Sequence, residues 1–151
     1  MASARNVMIV AAVAAVAVLL ALYAPLPGQN TRSSQISYVG SGCHASKGYI
    51  TIIQDSSGFN GSIGHGAPKN PWPVMTVHKG ETVKVLVCNL DRVEAHGFAI
   101  DHYFDGGVTL RPGDAFQFTF VADRAGSFTI FCNVFCTVHI FMRGTLMVLP
   151  S

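Results

Sequence analysis

The chain has 151 residues, half of them hydrophobic and only 12% charged, against about 25% charged in an ordinary soluble domain. That balance excludes a disordered protein, the length allows one domain of ordinary size rather than two, and a net charge of +2 gives no sign of the basic stripe that nucleic acid requires. Four Cys and six His are enough for a metal site, but four Cys are too few for a dense disulfide scaffold.

The first element accounts for part of the missing charge. From Val7 to Ala24 the chain reads VMIVAAVAAVAVLLALYA, with no charged residue. As a helix rising about 1.5 Å per residue this run would reach roughly 27 Å, close to the hydrocarbon thickness of a bilayer. It is apolar on every face, unlike a buried helix of a soluble protein, and Pro25 and Pro27 would end it. A cut after Ala24 would place Leu22 where a signal peptidase wants a small residue, and Pro25 just beyond. The expectation is therefore an uncleaved anchor over residues 1–27. Arg5 on the short flank sets the N-terminus in the cytoplasm, making a single-pass protein of the cell membrane. Everything from about residue 30 onward then lies on the extracytoplasmic side, where thiols can be oxidised.

Residues 28–48 are rich in Gly, Ser, Asn and Gln and read as a linker. Residues 49–151 read as one β domain. Strand-like runs fall at Tyr49–Gln54, Val74–His78, Thr82–Cys88, His96–Ile100, Ala115–Val121, Ser127–Cys132 and Gly144–Leu149. A long polar loop covers Asp55–Pro73, and Lys79-Gly80-Glu81 and Arg111-Pro112-Gly113-Asp114 are turn signals. The region shows no period of 3.6 and no internal repeat, so the fold class is all-β, a Greek-key sandwich.

The chemistry concentrates between the last two strands. The segment Phe131-Cys132-Asn133-Val134-Phe135-Cys136-Thr137-Val138-His139-Ile140-Phe141-Met142-Arg143-Gly144 brings two thiols, an imidazole and a thioether into one loop. Thiolate, imidazole and a weak thioether suit copper used for electron transfer. A second imidazole must come from elsewhere in the fold. His96, which opens His96-Gly97-Phe98 after the turn Asn89–Glu94, is the candidate.

These residues carry a family resemblance. From about Val74 to its end the chain resembles cupredoxin domains, and is most similar to the CuA domains of cytochrome c oxidase subunit II and nitrous oxide reductase. The His-Gly-Phe at His96, the Arg-Pro-Gly turn, the Ala-Gly-Ser-Phe approach and the two-Cys loop occur in the family's order. The resemblance implies two copper ions bridged by the thiolates of Cys132 and Cys136. His96 and His139 would supply the imidazoles, Met142 the thioether and Val134 a backbone carbonyl. It also implies a function: the electron-accepting subunit II of a heme–copper terminal oxidase. Such a subunit does no catalysis of its own. It takes electrons from cytochrome c or a cupredoxin and passes them to an oxidase subunit I-like protein in the membrane.

One departure leaves an alternative open. The CuA loop has Cys-x3-Cys-x3-His-x2-Met, whereas only Thr137 and Val138 separate Cys136 from His139 here. The shorter second half resembles amicyanin, with a single type 1 copper, which implies Cys136, His96, His139 and Met142 as its ligands. The second thiol, four residues upstream on the same loop, favours the binuclear reading. A copper chaperone is the rival from another class, and the strand-anchored loop argues against it. Phe98, Phe131, Phe135 and Phe141 are expected to form a dry shell about the ligands.

The remaining polar residues are less constrained. Cys88 reads either as a buried free thiol or as the partner of Cys43 in a disulfide. His102 reads as a solvated loop residue, His65 and His78 as surface residues, and Trp72 either as a cover over the copper region or as a core plug.

Overall fold

A computed structural model describes residues 37–39 (backbone only), residue 43 and residues 47–151. The expected membrane helix lies outside the described residues. Among these, no helix is long and apolar enough to cross a membrane.

Among the described residues, ten strands form two five-stranded sheets. The first sheet has the order β1-β8-β5-β2-β3 and the second β4-β10-β9-β6-β7. In chain order these are β1 (Ser37–Val39), β2 (Ile50–Asp55), β3 (Gly58–Phe59), β4 (Val74–His78) and β5 (Thr82–Asn89). There follow β6 (His96–Ile100), β7 (Phe104–Leu110), β8 (Ala115–Val121), β9 (Gly126–Phe131) and β10 (Arg143–Leu149). Two pairings are parallel, β2 with β5 and β4 with β10, and the others are antiparallel.

Alternation explains which face each strand buries. In β4, Met75 and Val77 point inward while Val74, Thr76 and His78 are exposed. In β8, Phe116, Phe118 and Phe120 face the core and stack in a row with centroids 5.8 and 5.9 Å apart. One continuous core between the sheets joins Ile52, Val85, Val87, Phe98, Ile100, Phe118, Ile130 and Leu146, and runs on to Cys132, Cys136 and Met142. The sandwich thus ends, at one edge of its core, in the loop that carries the two thiols.

The expected strands are present with ends shifted by a residue at most. Three further strands appear. β3 lies within the expected polar loop, and β7 fills the stretch before the Arg111 turn. β1 falls in the stretch expected as a linker and pairs with β8 through Ser37–Gln117, Tyr38–Phe116 and Val39–Ala115. A disulfide joins Cys43, in the same stretch, to Cys88 of β5. The domain therefore takes in chain upstream of residue 49. Leu86, Cys88 and Ala115 form a separate small apolar cluster with Cys43, Tyr49 and Ile53, on the face of the first sheet turned away from the main core.

Candidate metal centre

The eleven residues 132–142 connect β9 to β10. These strands pair with Phe131 opposite Arg143, and the Cys132 N–H donates to the Met142 carbonyl at 3.2 Å, so the loop is pinned at its base. Its far half is wound by a short 3₁₀ turn, His139–Phe141. There the His139 N–H donates to the Cys136 carbonyl at 3.2 Å and the Phe141 N–H to Val138 at 2.9 Å. This winding turns Cys136, His139 and Met142 back towards Cys132.

The donors converge. The sulfurs of Cys132 and Cys136 are 3.8 Å apart, and Cys136 Sγ lies 3.7 Å from Met142 Sδ. Cys132, Cys136 and His139 form a cluster whose donor atoms all lie within 4.8 Å of one another. The Val134 carbonyl sits among them, accepting from the Cys132 thiol at 3.0 Å and facing His139 Nδ1 at 2.8 Å. Cys132 is 2% exposed, Cys136 6% and Met142 fully buried. Both thiols are unoxidised. Burial above all, and then the neighbouring Cys132, pushes the Cys136 thiol up to about 12.

His96 is fully buried but stands outside this three-donor cluster. Its Nε2 engages Asp91 Oδ2 at 3.0 Å, while its Nδ1 is buried without a hydrogen-bond partner. A buried imidazole nitrogen left unpartnered is costly, and a bound metal would relieve that cost. The second ring nitrogen resting on a carboxylate is the arrangement that orients a metal-ligating His. The neighbouring Gly97 N–H donates to Cys132 Sγ at 3.2 Å, so the strand carrying His96 touches the thiol cluster directly. Asp91 in turn accepts the N–H groups of Val93 (2.8 Å) and Glu94 (3.1 Å). Those two bonds, more than His96, hold its carboxyl below the usual aspartate range.

Several positioning residues were not visible in the sequence. Asn133 packs between Gly97 and Gly107, so closely that a β-carbon on either glycine would meet its side chain. Gln54 of β2 reaches across the sandwich to the Gly97 carbonyl at 2.7 Å. Glu94 accepts from the N–H and the hydroxyl of Thr137. Ser62 donates to the Phe141 carbonyl at 2.7 Å, tying the polar loop to the 3₁₀ turn.

The expected aromatic shell forms only in part. Phe98 is fully buried and Phe131 and Phe141 half-buried, but Phe135 is 95% exposed. Its position between the two Cys turns it outward while they turn inward. Ile140 next to His139 is also exposed, as are Leu90 and Val93 on the loop before His96. Trp72 is half-buried rather than a core plug. It stacks on the exposed His65 with centroids 4.1 Å apart, and its N–H groups reach Asn60 O and Arg143 O. His102 does not stand free in solvent. It stacks on Phe128 and contacts Asp123 at 3.1 Å.

No protein-family model matches the chain. Among curated proteins it is similar to nitrous-oxide reductases. The match is 36% identical over 85 residues for that of Ralstonia nicotianae, covering 54% of this chain and 13% of the relative. For that of Stutzerimonas stutzeri it is 31% over 105 residues, covering 66% and 16%. The chain thus spans about a sixth or less of these relatives' length. Among solved structures, auracyanin from Roseiflexus castenholzii aligns with a TM-score of 0.52 at 17% identity, over 70% of this chain and all of that one. Copper nitrite reductase from Nitrosomonas europaea aligns with a TM-score of 0.55 at 22% identity, over 68% and 41%.

The fold is that of a cupredoxin-like sandwich. Its two-thiol loop matches the CuA-type pattern except at the Cys136–His139 spacing. The donors of this loop fit copper: soft sulfur, borderline imidazole, a weak thioether and a protected interior.

Proposed function

We propose that the chain is a copper electron-transfer protein whose domain holds two copper ions in a CuA-type centre. Cys132, Cys136, His96 and His139 would hold them, with Met142 and the Val134 carbonyl as weaker further donors. The observation that carries this reading is the pair of buried thiols, 3.8 Å apart on one strand-pinned loop. A single-copper site has no use for the second thiol. Bound there, the copper pair supplies a one-electron couple. The chain's own residues fix ligand positions and exclude water, and no side chain need act as an acid or base.

One feature favours a second reading. The Cys136-x2-His139-x2-Met142 spacing suits a single type 1 copper on Cys136, His96, His139 and Met142. Copper stoichiometry and electron paramagnetic resonance of the full chain separate the two. The proposal expects about two coppers per chain and a delocalised mixed-valence signal. One copper with one intense blue band would overturn it.

The apolar run at 7–24 supports a membrane-held version of this carrier: the subunit II of a heme–copper oxidase. It would take electrons from cytochrome c or a cupredoxin and hand them to a subunit I-like partner, on the extracytoplasmic side of the cell membrane. The similarity to nitrous-oxide reductases supports the copper domain and is neutral on the oxidase. Recovery of the chain, with its N-terminus intact, in the soluble fraction of lysed cells would overturn the anchored version.

A further inference from the structure

We infer that Glu94 and Thr137 form a clasp that sets the position of the shortened Cys136–His139 stretch relative to His96. Glu94 is then a positioning residue for the metal centre. The inference rests on the copper reading above for its purpose, but not for its geometry.

Glu94 lies two residues before His96, and Thr137 is one of the two residues between Cys136 and His139. Glu94 Oε2 accepts the Thr137 N–H at 3.2 Å and the Thr137 hydroxyl at 2.6 Å. One carboxylate oxygen thus takes two donors from a residue 43 positions away. Charge-assisted bonds of this kind are stronger than neutral ones. Thr137 is itself exposed, so burial does not hold it.

The other end of the clasp is rigid. The Glu94 N–H donates to Asp91 Oδ1, and the Glu94 carbonyl accepts from Asn89 Nδ2 at 2.8 Å. Asn89 is fully buried, and the same Nδ2 reaches the Leu110 carbonyl at 2.9 Å. Asp91 meanwhile holds the His96 ring. The five-residue span from Leu90 to Glu94 therefore grips the imidazole with one carboxylate and the ligand loop with the other. With only two residues between Cys136 and His139, the loop has little slack to adjust to a metal by itself. The clasp places it beforehand.

The test compares Glu94→Leu, Glu94→Gln and Thr137→Val in the full chain. Amide hydrogen exchange at residue 137 is read without metal, and affinity and spectrum are read by titration with copper(II). Glu94→Leu is expected to speed exchange of the Thr137 amide about tenfold and to weaken copper binding about 10- to 100-fold, the usual range for a group that orients metal ligands. Glu94→Gln keeps an acceptor oxygen and is expected to restore both within about threefold, with the parent spectrum. Thr137→Val keeps the N–H and is expected to fall between.

Parental exchange and affinity in Glu94→Leu would overturn the clasp. So would a Glu94→Gln variant as impaired as Glu94→Leu, since charge and not the clasp would then be at work. If Glu94→Leu does not fold, faster exchange at residue 137 in Thr137→Val supports the clasp and parental exchange overturns it. A parent chain that takes up no copper refutes the proposed function, while the exchange measurements still decide the clasp.

Discussion

The side chain of Asn133 occupies the space that a β-carbon on Gly97 would need. Such a carbon would also lie 2.7 Å from the Asn133 backbone nitrogen and 2.8 Å from that of Val134. Real β-carbons do not approach backbone so closely, so Gly97→Ala must displace either β6 or the start of the ligand loop. The Gly97 carbonyl bond from Gln54 and the pairing of β6 with β7 and β9 resist the first, so the loop moves. Overpacking of this kind costs about 1–3 kcal/mol. Gly97→Ala is expected to lower the urea midpoint correspondingly and to shift the copper spectrum. An unchanged spectrum would mean that β6 does not set the loop position.

The two thiols make separable predictions. Replacing sulfur by oxygen at Cys132 removes one of the two proposed thiolate donors with little change of shape, and a hydroxyl can still donate to the Val134 carbonyl. Cys132→Ser is therefore expected to keep the stability of the metal-free chain within about 1 kcal/mol, while binuclear copper is lost or becomes a single ion. Metal analysis and paramagnetic resonance read the outcome. A parental spectrum would show that Cys132 is not a ligand.

How much of this was legible in the sequence depends on whether a feature is local. Cys132, Cys136, His139 and Met142 sit on one loop, so their order alone suggested a shared centre, whereas Val134 entered only through the family resemblance. The strands with clean alternation, such as β4 and β8, were visible for the same reason. β7 was not, because Asp105-Gly106-Gly107 carries little intrinsic strand preference and pairing with β6 forms it. Asp91, Glu94, Asn133 and Gln54 act across 5 to 43 residues, and a lone polar residue carries no spacing signal. Phe135 was misjudged because hydrophobicity says nothing of direction when its two neighbouring cysteines claim the interior. The Cys43–Cys88 pairing stayed open because Cys43 lies in polar sequence without a strand pattern.

That pairing has a stability consequence. The disulfide closes a loop with a sequence separation of 45 residues, which in the chain-entropy account is worth about 4 kcal/mol. It lies on β5 in the first sheet, whereas the ligand strands β6, β9 and β10 belong to the second. Cys43→Ser is thus expected to lower unfolding free energy by several kcal/mol and leave the copper spectrum as it was. A loss below about 1 kcal/mol would mean that the unfolded chain gains little freedom from the cut.

Copper uptake is expected to release protons. With the Cys136 thiol pushed up to about 12, it is protonated throughout the neutral range, and only the thiolate binds copper well. The sign follows directly: the metal-free state holds the proton, the loaded state does not, so apparent affinity rises with pH. Each proton released adds about tenfold per pH unit, since one unit is 1.36 kcal/mol. Calorimetric titration of the metal-free chain with copper, in buffers of different ionisation enthalpy, counts these protons. At least one per chain is expected between pH 6 and 8, together with an affinity that climbs across that interval. Uptake without proton release would require Cys136 to be a thiolate before the metal arrives, contrary to its burial beside a second thiol.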